Sequence, residues 1–142
     1  MKKKYLIVIA NYYSNIAKSL LDSALKKIPK SNNIRIIKVP GVFEIPVTIS
    51  KNIKKYDAFL ALGCVIKGET PHFEFISQAS TNAIMNLSIN NRKPIGNGII
   101  TCLNIRQAKD RKKKGAEAAE AVNSILSQKW ELILIQKITL EW

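Results

Sequence analysis

Four short apolar runs recur along the chain, three of them rich in β-branched residues, and all are bounded by residues that favour turns. They occupy residues 5–10, 34–39, 58–65 and 95–101. Runs of this length and composition predict β-strands. The pattern therefore predicts a sheet of four strands.

Helical periodicity fills the intervals between these runs. The first helix presents apolar residues at every fourth position, at Ile16, Leu20, Ala24 and Ile28. Ser14 is its predicted amino-terminal cap, and Pro29 sets its limit because proline cannot continue a helix. The pattern predicts four later helices. One opens at Pro46, one covers about residues 72–89, a short one lies around Gln107 and a long one begins at Gly115.

Strict alternation of strands and helices predicts right-handed crossovers and a parallel sheet with helices on both faces. The expected fold class is α/β, a three-layer α/β/α sandwich around a central parallel four-stranded sheet. No linker, charge block or repeat divides residues 1–142, so we expect one domain with a carboxyl-terminal extension from about residue 130. That extension could continue a helix or form an edge strand.

Composition narrows the class of protein. With 46% apolar residues among 142, the chain can bury a substantial core as one globular domain. No apolar run approaches the ~20 residues that span a bilayer, so we expect a cytoplasmic protein without a membrane segment. Cys64 and Cys102 lack disulfide or metal-ligand spacing, which predicts free, packed thiols.

The charge balance is strongly basic. Lysine and arginine number 23 against 10 acidic residues, a formal net charge of +13. Such a surface attracts anions, including phosphorylated ligands and nucleic acid. Only residues 109–114 form a dense basic stretch, so the charge fits either a generally solvated basic surface or a local nucleic-acid footprint.

Ligands of open parallel sheets bind beyond the carboxyl ends of the strands, so the post-strand loops are the expected site. The loop after the first strand reads ANYYSN and lacks a phosphate-cradling sequence, GxGxxG or an acidic pair. The chain has one histidine, which excludes a histidine-based metal cluster. We therefore expect neither a metal nor an organic cofactor.

The third loop contains the most specific chemistry. Gly68, Glu69 and Thr70 precede a helix that is expected to start near Pro71. Backbone amides at a helix start, the helix dipole and a hydroxyl together favour a phosphate. His72 follows in the first turn, where it can transfer protons near neutral pH.

The other two loops allow alternatives. Glu44 either favours a helix start through the dipole or accepts hydrogen bonds from the hydroxyls of a polyol. Tyr12 and Tyr13 either border the core or offer a stacking platform for a flat heterocycle.

Five segments occur in order along the chain: GVFEIP, YDAFLALGCVIKGETPHFEF, PIGNGIIT, NIRQAKDR and KGAEAA. This ordered set resembles the signature segments of the 6,7-dimethyl-8-ribityllumazine synthase family, transferases that catalyse the penultimate step of riboflavin biosynthesis. The resemblance implies a flavodoxin-like subunit without bound flavin. It also implies homopentamers, or shells built from pentamers.

The resemblance further implies two substrates, 5-amino-6-(D-ribitylamino)uracil and 3,4-dihydroxy-2-butanone 4-phosphate, and no cofactor. On the pyrimidine side, the stacking aromatic falls on Tyr12 and the ribityl-binding carboxylate on Glu44. Further contacts with this substrate fall on Val42, Phe43, Val65, Ile66 and Asn97. Asn97 stands where many members of the family carry an aromatic residue, so stacking depends more on Tyr12.

On the phosphate side, the resemblance implies that Glu69 and Thr70 bind the phosphate, with Glu69 using its amide while its side chain points outward. His72 corresponds to the proton-transfer residue and Arg111 to the phosphate-binding arginine. Lys114 matches the lysine before the glycine of KGAEAA. The alternatives are a basic flavodoxin-like module that binds nucleic acid and a relative that binds a lumazine or flavin without turnover.

Overall fold

A computed structural model describes residues 2–128. Within it the strands are β1 (Lys4–Ala10), β2 (Asn33–Val39), β3 (Ala58–Ile66) and β4 (Ile95–Cys102), and the helices are α1 (Ser14–Leu25), α2 (Ile45–Asn52), α3 (His72–Asn91), α4 (Ile105–Asp110) and α5 (Lys114–Leu126). The predicted extension from residue 130 lies outside the described residues. No helix in the described part is long and apolar enough to cross a membrane.

All four strands are parallel and stand in the order β2-β1-β3-β4. The chain moves outward from β1 to β2 and then returns to place β3 on the other side of β1. This reversal is the switch point of a flavodoxin-like sheet, where a crevice opens beyond the strand ends. The predicted parallel four-stranded sheet is confirmed.

Two apolar layers cover the sheet, as period-two alternation along each strand requires. In β1, Tyr5, Ile7 and Ile9 face a core shared with α1 and α5. The alternate residues of β1 face the core that contains buried residues of α2 and α3. The predicted three-layer arrangement is therefore confirmed.

The two helices on the first face approach each other very closely at Gly115. A Cβ at this position would overlap the carbonyl oxygen of Leu20 and lie 2.5 Å from Oγ of Ser23. Glycine is therefore needed at 115 so that the start of α5 can rest on the backbone of α1.

Two local predictions differ from the structure, and one short element was not predicted. Ser14 does not cap α1: Tyr13 occupies the cap position, and no side chain caps this end. The helix ends at Leu25, before Ile28, because the residue preceding Pro29 is pushed out of the helical region; Ile28 is nevertheless buried. A 3₁₀ turn, Val42–Glu44, which the sequence pattern did not indicate, precedes α2.

Candidate active site

A cleft of about 560 Å³ opens at the carboxyl ends of β1, β2 and β3, at the switch point of the sheet. Seven of the residues singled out from the sequence line it: Tyr12, Val42, Phe43, Glu44, Val65, Ile66 and His72. Four elements of the fold supply them: the loop after β1, the 3₁₀ turn after β2, the end of β3 and the start of α3. The topology thus brings together residues that are up to sixty positions apart in the sequence.

Four further lining residues were not predicted as site residues: Tyr13, Gly41, Cys64 and Ile76. Ile76 lies one helical turn after His72, so the i, i+4 spacing would have placed it on the same face. Cys64 belongs to the same strand end as Val65 and Ile66. For Tyr13 the sequence left two alternatives, a core border or a stacking platform. Gly41 carried no comparable signal, because its position depends on how the loop folds.

The two tyrosines of the first loop have different environments. Tyr12 is 76% exposed and stands in the cleft, whereas Tyr13 is half-buried and packs against the core. Their rings meet edge to face with centroids 4.9 Å apart. Burial, with smaller contributions from Tyr12 and Cys64, raises the pKa of Tyr13. The core-border alternative therefore holds for Tyr13 and is wrong for Tyr12, whose ring is available for stacking.

Glu44 stands at the junction of the 3₁₀ turn and α2, where it is half-buried. Its backbone carbonyl accepts a hydrogen bond of 2.8 Å from the hydroxyl of Thr48. The carboxylate does not cap α2, and Oε2 lies 3.5 Å from the place of a Cβ on Gly41. The carboxylate therefore faces the backbone of the second loop. In this position it can accept hydrogen bonds that ligand hydroxyls donate.

His72 is the first residue of α3 and is exposed at the mouth of the cleft. No side chain caps this helix. Its first backbone hydrogen bond runs from the amide of Phe75 to the carbonyl of Pro71, at 3.3 Å. The first-turn amides before Phe75 have no carbonyl acceptor within the helix, so they can bind an anion. Glu69 and Thr70 are exposed in the preceding loop and do not line the cleft.

The start of that loop is fixed to the sheet. The amide of Lys67 donates to the carbonyl of Cys102 at 2.8 Å, which extends the pairing of β3 with β4 by one residue. The ammonium group of Lys67 lies 4.0 Å from the carboxylate of Glu74, and both side chains are about half exposed. An exposed pair of this kind adds little stability, so the backbone bond fixes the loop.

Both cysteines are free and buried, as predicted. Burial, together with the neighbouring Cys102, raises the pKa of Cys64 to about 12. The Cys64 thiol is therefore protonated at neutral pH and forms part of the apolar floor of the cleft. It lacks the thiolate character that a nucleophile needs.

Besides Glu69 and Thr70, three predicted residues lie outside the cleft lining of their own chain: Asn97, Arg111 and Lys114. Oδ1 of Asn97 accepts from the amide of Ile99 at 3.0 Å, within β4. Nη1 of Arg111 donates to the carbonyl of Thr101 at 3.1 Å, and Nζ of Lys114 lies 3.4 Å from the Glu117 carboxylate. All three are exposed, so their side chains can reach a neighbouring molecule.

The cleft thus combines an exposed aromatic ring, one carboxylate, one imidazole and an uncapped helix start. Among residues 2–128, no three histidine, cysteine or acidic side chains stand together as a group able to hold a metal ion. The lining can receive a flat heterocycle with a hydroxylated chain, and the helix start can receive an anion. These features define an α/β protein of flavodoxin-like strand order with a ligand cleft at the switch point.

Comparison with known proteins identifies the family. The family model described as 6,7-dimethyl-8-ribityllumazine synthase matches residues 2–129. Proteins with that name from Bartonella tribocorum and from Buchnera aphidicola subsp. Baizongia pistaciae are 42% identical over 140 residues and 46% identical over 130 residues. The alignments cover 91% and 83% of this chain and 93% and 82% of the two relatives.

The chain belongs to the 6,7-dimethyl-8-ribityllumazine synthase family, transferases of riboflavin biosynthesis. The resemblance of the five sequence segments is confirmed. Membership favours the enzyme over a basic module for nucleic acid.

Proposed function

We propose that this chain condenses 5-amino-6-(D-ribitylamino)uracil with 3,4-dihydroxy-2-butanone 4-phosphate in the cleft at the switch point. The products are 6,7-dimethyl-8-ribityllumazine, inorganic phosphate and water. The observation that carries the proposal is the convergence of Tyr12, Glu44 and His72 on one cleft in a member of this family. The reaction needs no cofactor, and we place the enzyme in the cytoplasm.

The pyrimidine occupies the inner part of the cleft. Its ring stacks on Tyr12, which is 76% exposed, against 66% for Phe43, the other exposed aromatic residue of the lining. Its ribityl hydroxyls donate to the carboxylate of Glu44, while the turn around Val42 and Phe43 offers backbone groups to the same chain of hydroxyls. The end of β3 at Val65 and Ile66 supports the ring from below.

The phosphorylated ketone binds at the start of α3. The amides of Glu69 and Thr70, the hydroxyl of Thr70 and the helix dipole attract its phosphate. The pyrimidine amine attacks the ketone carbon, and His72 moves protons as the hydroxyl leaves as water and the imine forms. His72 then takes the proton lost as the phosphate leaves, while Arg111 stabilises the phosphate charge. After tautomerisation, the ribitylamino nitrogen attacks the remaining carbonyl, which closes the second ring and releases a second water.

The enzyme assembles as a homopentamer or a multiple of pentamers, and each site lies between two chains. Of the twenty residues of α3, only Ser80 and Ile84 are buried. Phe75, Met85 and Ile89 on this helix are 67%, 57% and 64% exposed, which leaves an apolar surface for a neighbour. The neighbour contributes Asn97, Arg111 and Lys114, which lie outside the cleft of their own chain.

The direct test is turnover. Purified protein is incubated with both substrates, and the fluorescence of the lumazine product is followed. We expect product only when both substrates are present, and phosphate release at the same rate. Absence of product at substrate concentrations well above the usual KM range of about 1 μM to 1 mM contradicts the proposal.

A second experiment tests the position of the site between chains. Chains carrying His72→Ala and chains carrying Arg111→Ala are co-expressed in equal amounts. If each site combines His72 of one chain with Arg111 of the next, random mixing in a closed ring leaves roughly one quarter of the sites intact. If both residues served a site within one chain, every site would lack one of them and no activity would return. An absence of activity in oligomers shown to be mixed therefore contradicts the shared site.

A further inference from the structure

Ser23 links α1 to the segment that enters α5. Its Oγ accepts from the amide of Ala116 at 3.1 Å, and its one proton has two acceptors in reach, the carbonyl of Lys112 at 2.8 Å and that of Leu20 on the same helix at 3.0 Å. The shorter distance assigns the proton to Lys112. Lys112 and Ala116 are 89 and 93 positions away in the sequence. Ser23 is half-buried, and it sits beside the close contact of Gly115 with Leu20.

The hydroxyl performs the task of a helix cap for α5. Ala116 is the third residue of α5, and its amide is one of the first-turn donors that no carbonyl of the same helix can accept. Lys113, the residue at the cap position of α5, makes no side-chain cap bond. The cap is therefore supplied across the interface between two helices by Ser23.

The same hydroxyl also fixes the short turn that carries Arg111. Three residues, Arg111–Lys113, join α4 to α5. The amide of Arg111 donates to the carbonyl of Ala108 at 3.2 Å, and its carbonyl accepts from the amide of Lys114 at 3.0 Å. The bond from Ser23 to the next carbonyl, that of Lys112, ties this turn to α1.

We infer that Ser23 is a positioning residue for the phosphate-binding Arg111. This inference rests on the proposed function, in which Arg111 binds the phosphate of the ketone substrate. The guanidinium group donates to the carbonyl of Thr101 at the end of β4, so it is oriented by the sheet on one side and by the turn on the other. Loss of the Ser23 hydroxyl frees the turn from α1, so the side chain of Arg111 can adopt more orientations.

Ser23→Ala tests the inference. Since one hydrogen bond contributes about 0.5–1.5 kcal/mol, we expect KM for the butanone phosphate to rise about threefold to tenfold. The inhibition constant of inorganic phosphate should rise by the same factor, and KM for the ribitylaminouracil should not change. Ser19→Ala is the matched control, because Ser19 lies one turn earlier on α1 and its hydroxyl bonds only to the local carbonyl of Asn15.

The double variant Ser23→Ala/Arg111→Ala separates positioning from general destabilisation. If Ser23 acts through Arg111, its substitution changes neither phosphate parameter further once Arg111 is removed. Equal losses for both substrates, or a full effect in the absence of Arg111, overturn the inference and leave the proposed function standing. A wild-type protein without turnover refutes the proposed function itself, and the inference with it.

Discussion

Gly115→Ala tests the contact that seats α5 on α1. The added methyl group would overlap the carbonyl oxygen of Leu20, lie 2.9 Å from its carbonyl carbon and lie 2.5 Å from Oγ of Ser23. Two of these neighbours are backbone atoms within a helix, so the helices must move apart. Overpacking of this kind costs about 1–3 kcal/mol, and the better helix propensity of alanine recovers up to about 1 kcal/mol.

We therefore expect Gly115→Ala to lower the free energy of unfolding by about 1–2 kcal/mol, which moves the urea midpoint by roughly 0.5–1 M. The assay is urea unfolding at one fixed protein concentration, because assembly makes stability depend on concentration. Gly68→Ala is the control: a Cβ there meets no atom within 4 Å, so its effect should stay within about 0.5 kcal/mol. An unchanged midpoint for Gly115→Ala would refute the close packing of the two helices.

Three further predictions concern the cleft. His72→Ala should lower kcat by about 10²- to 10⁴-fold with smaller changes in KM, and an unchanged kcat in stopped-flow turnover would mean that solvent transfers the protons. Glu44→Gln should raise KM for the ribitylaminouracil about tenfold and leave KM for the butanone phosphate unchanged, because an amide accepts the ribityl hydroxyls less strongly than a carboxylate. The Cys64 thiol has its pKa raised from 9.0 to about 12, so its contribution to stability is complete below pH 9 and is lost as pH rises toward 12. Urea midpoints between pH 8 and 11 should fall less steeply for Cys64→Ala than for the wild type.

Much of the fold was predictable because the strands are buried on both faces. Six consecutive residues of β1 and seven of β3 are buried, so apolar runs marked them without ambiguity. The parallel direction of the strands followed from the helices lying between them, whereas their order did not. Helix ends were less predictable. Pro29 is visible in the sequence and limits α1, but the packing of Ile28 in the core is not displayed by any local pattern.

Some residues of the candidate site were predictable from the sequence and others were not. Residues that follow a strand directly, such as Glu44 and His72, were placed in the cleft by topology alone, because parallel strands end at one edge. The separate environments of Tyr12 and Tyr13 depend on the path of the three-residue loop between β1 and α1. The link from Ser23 to α5 spans about ninety residues and involves no recurring motif, so only the folded structure reveals it.

The position of β2 at the border of the sheet has a consequence for assembly. Its outer edge is not paired within the described residues, and it carries the exposed Arg35 and Lys38. Charged side chains on a border strand discourage a second sheet from adding there by backbone hydrogen bonds. Copies of this chain are thereby steered away from open-ended fibre growth along the β2 edge.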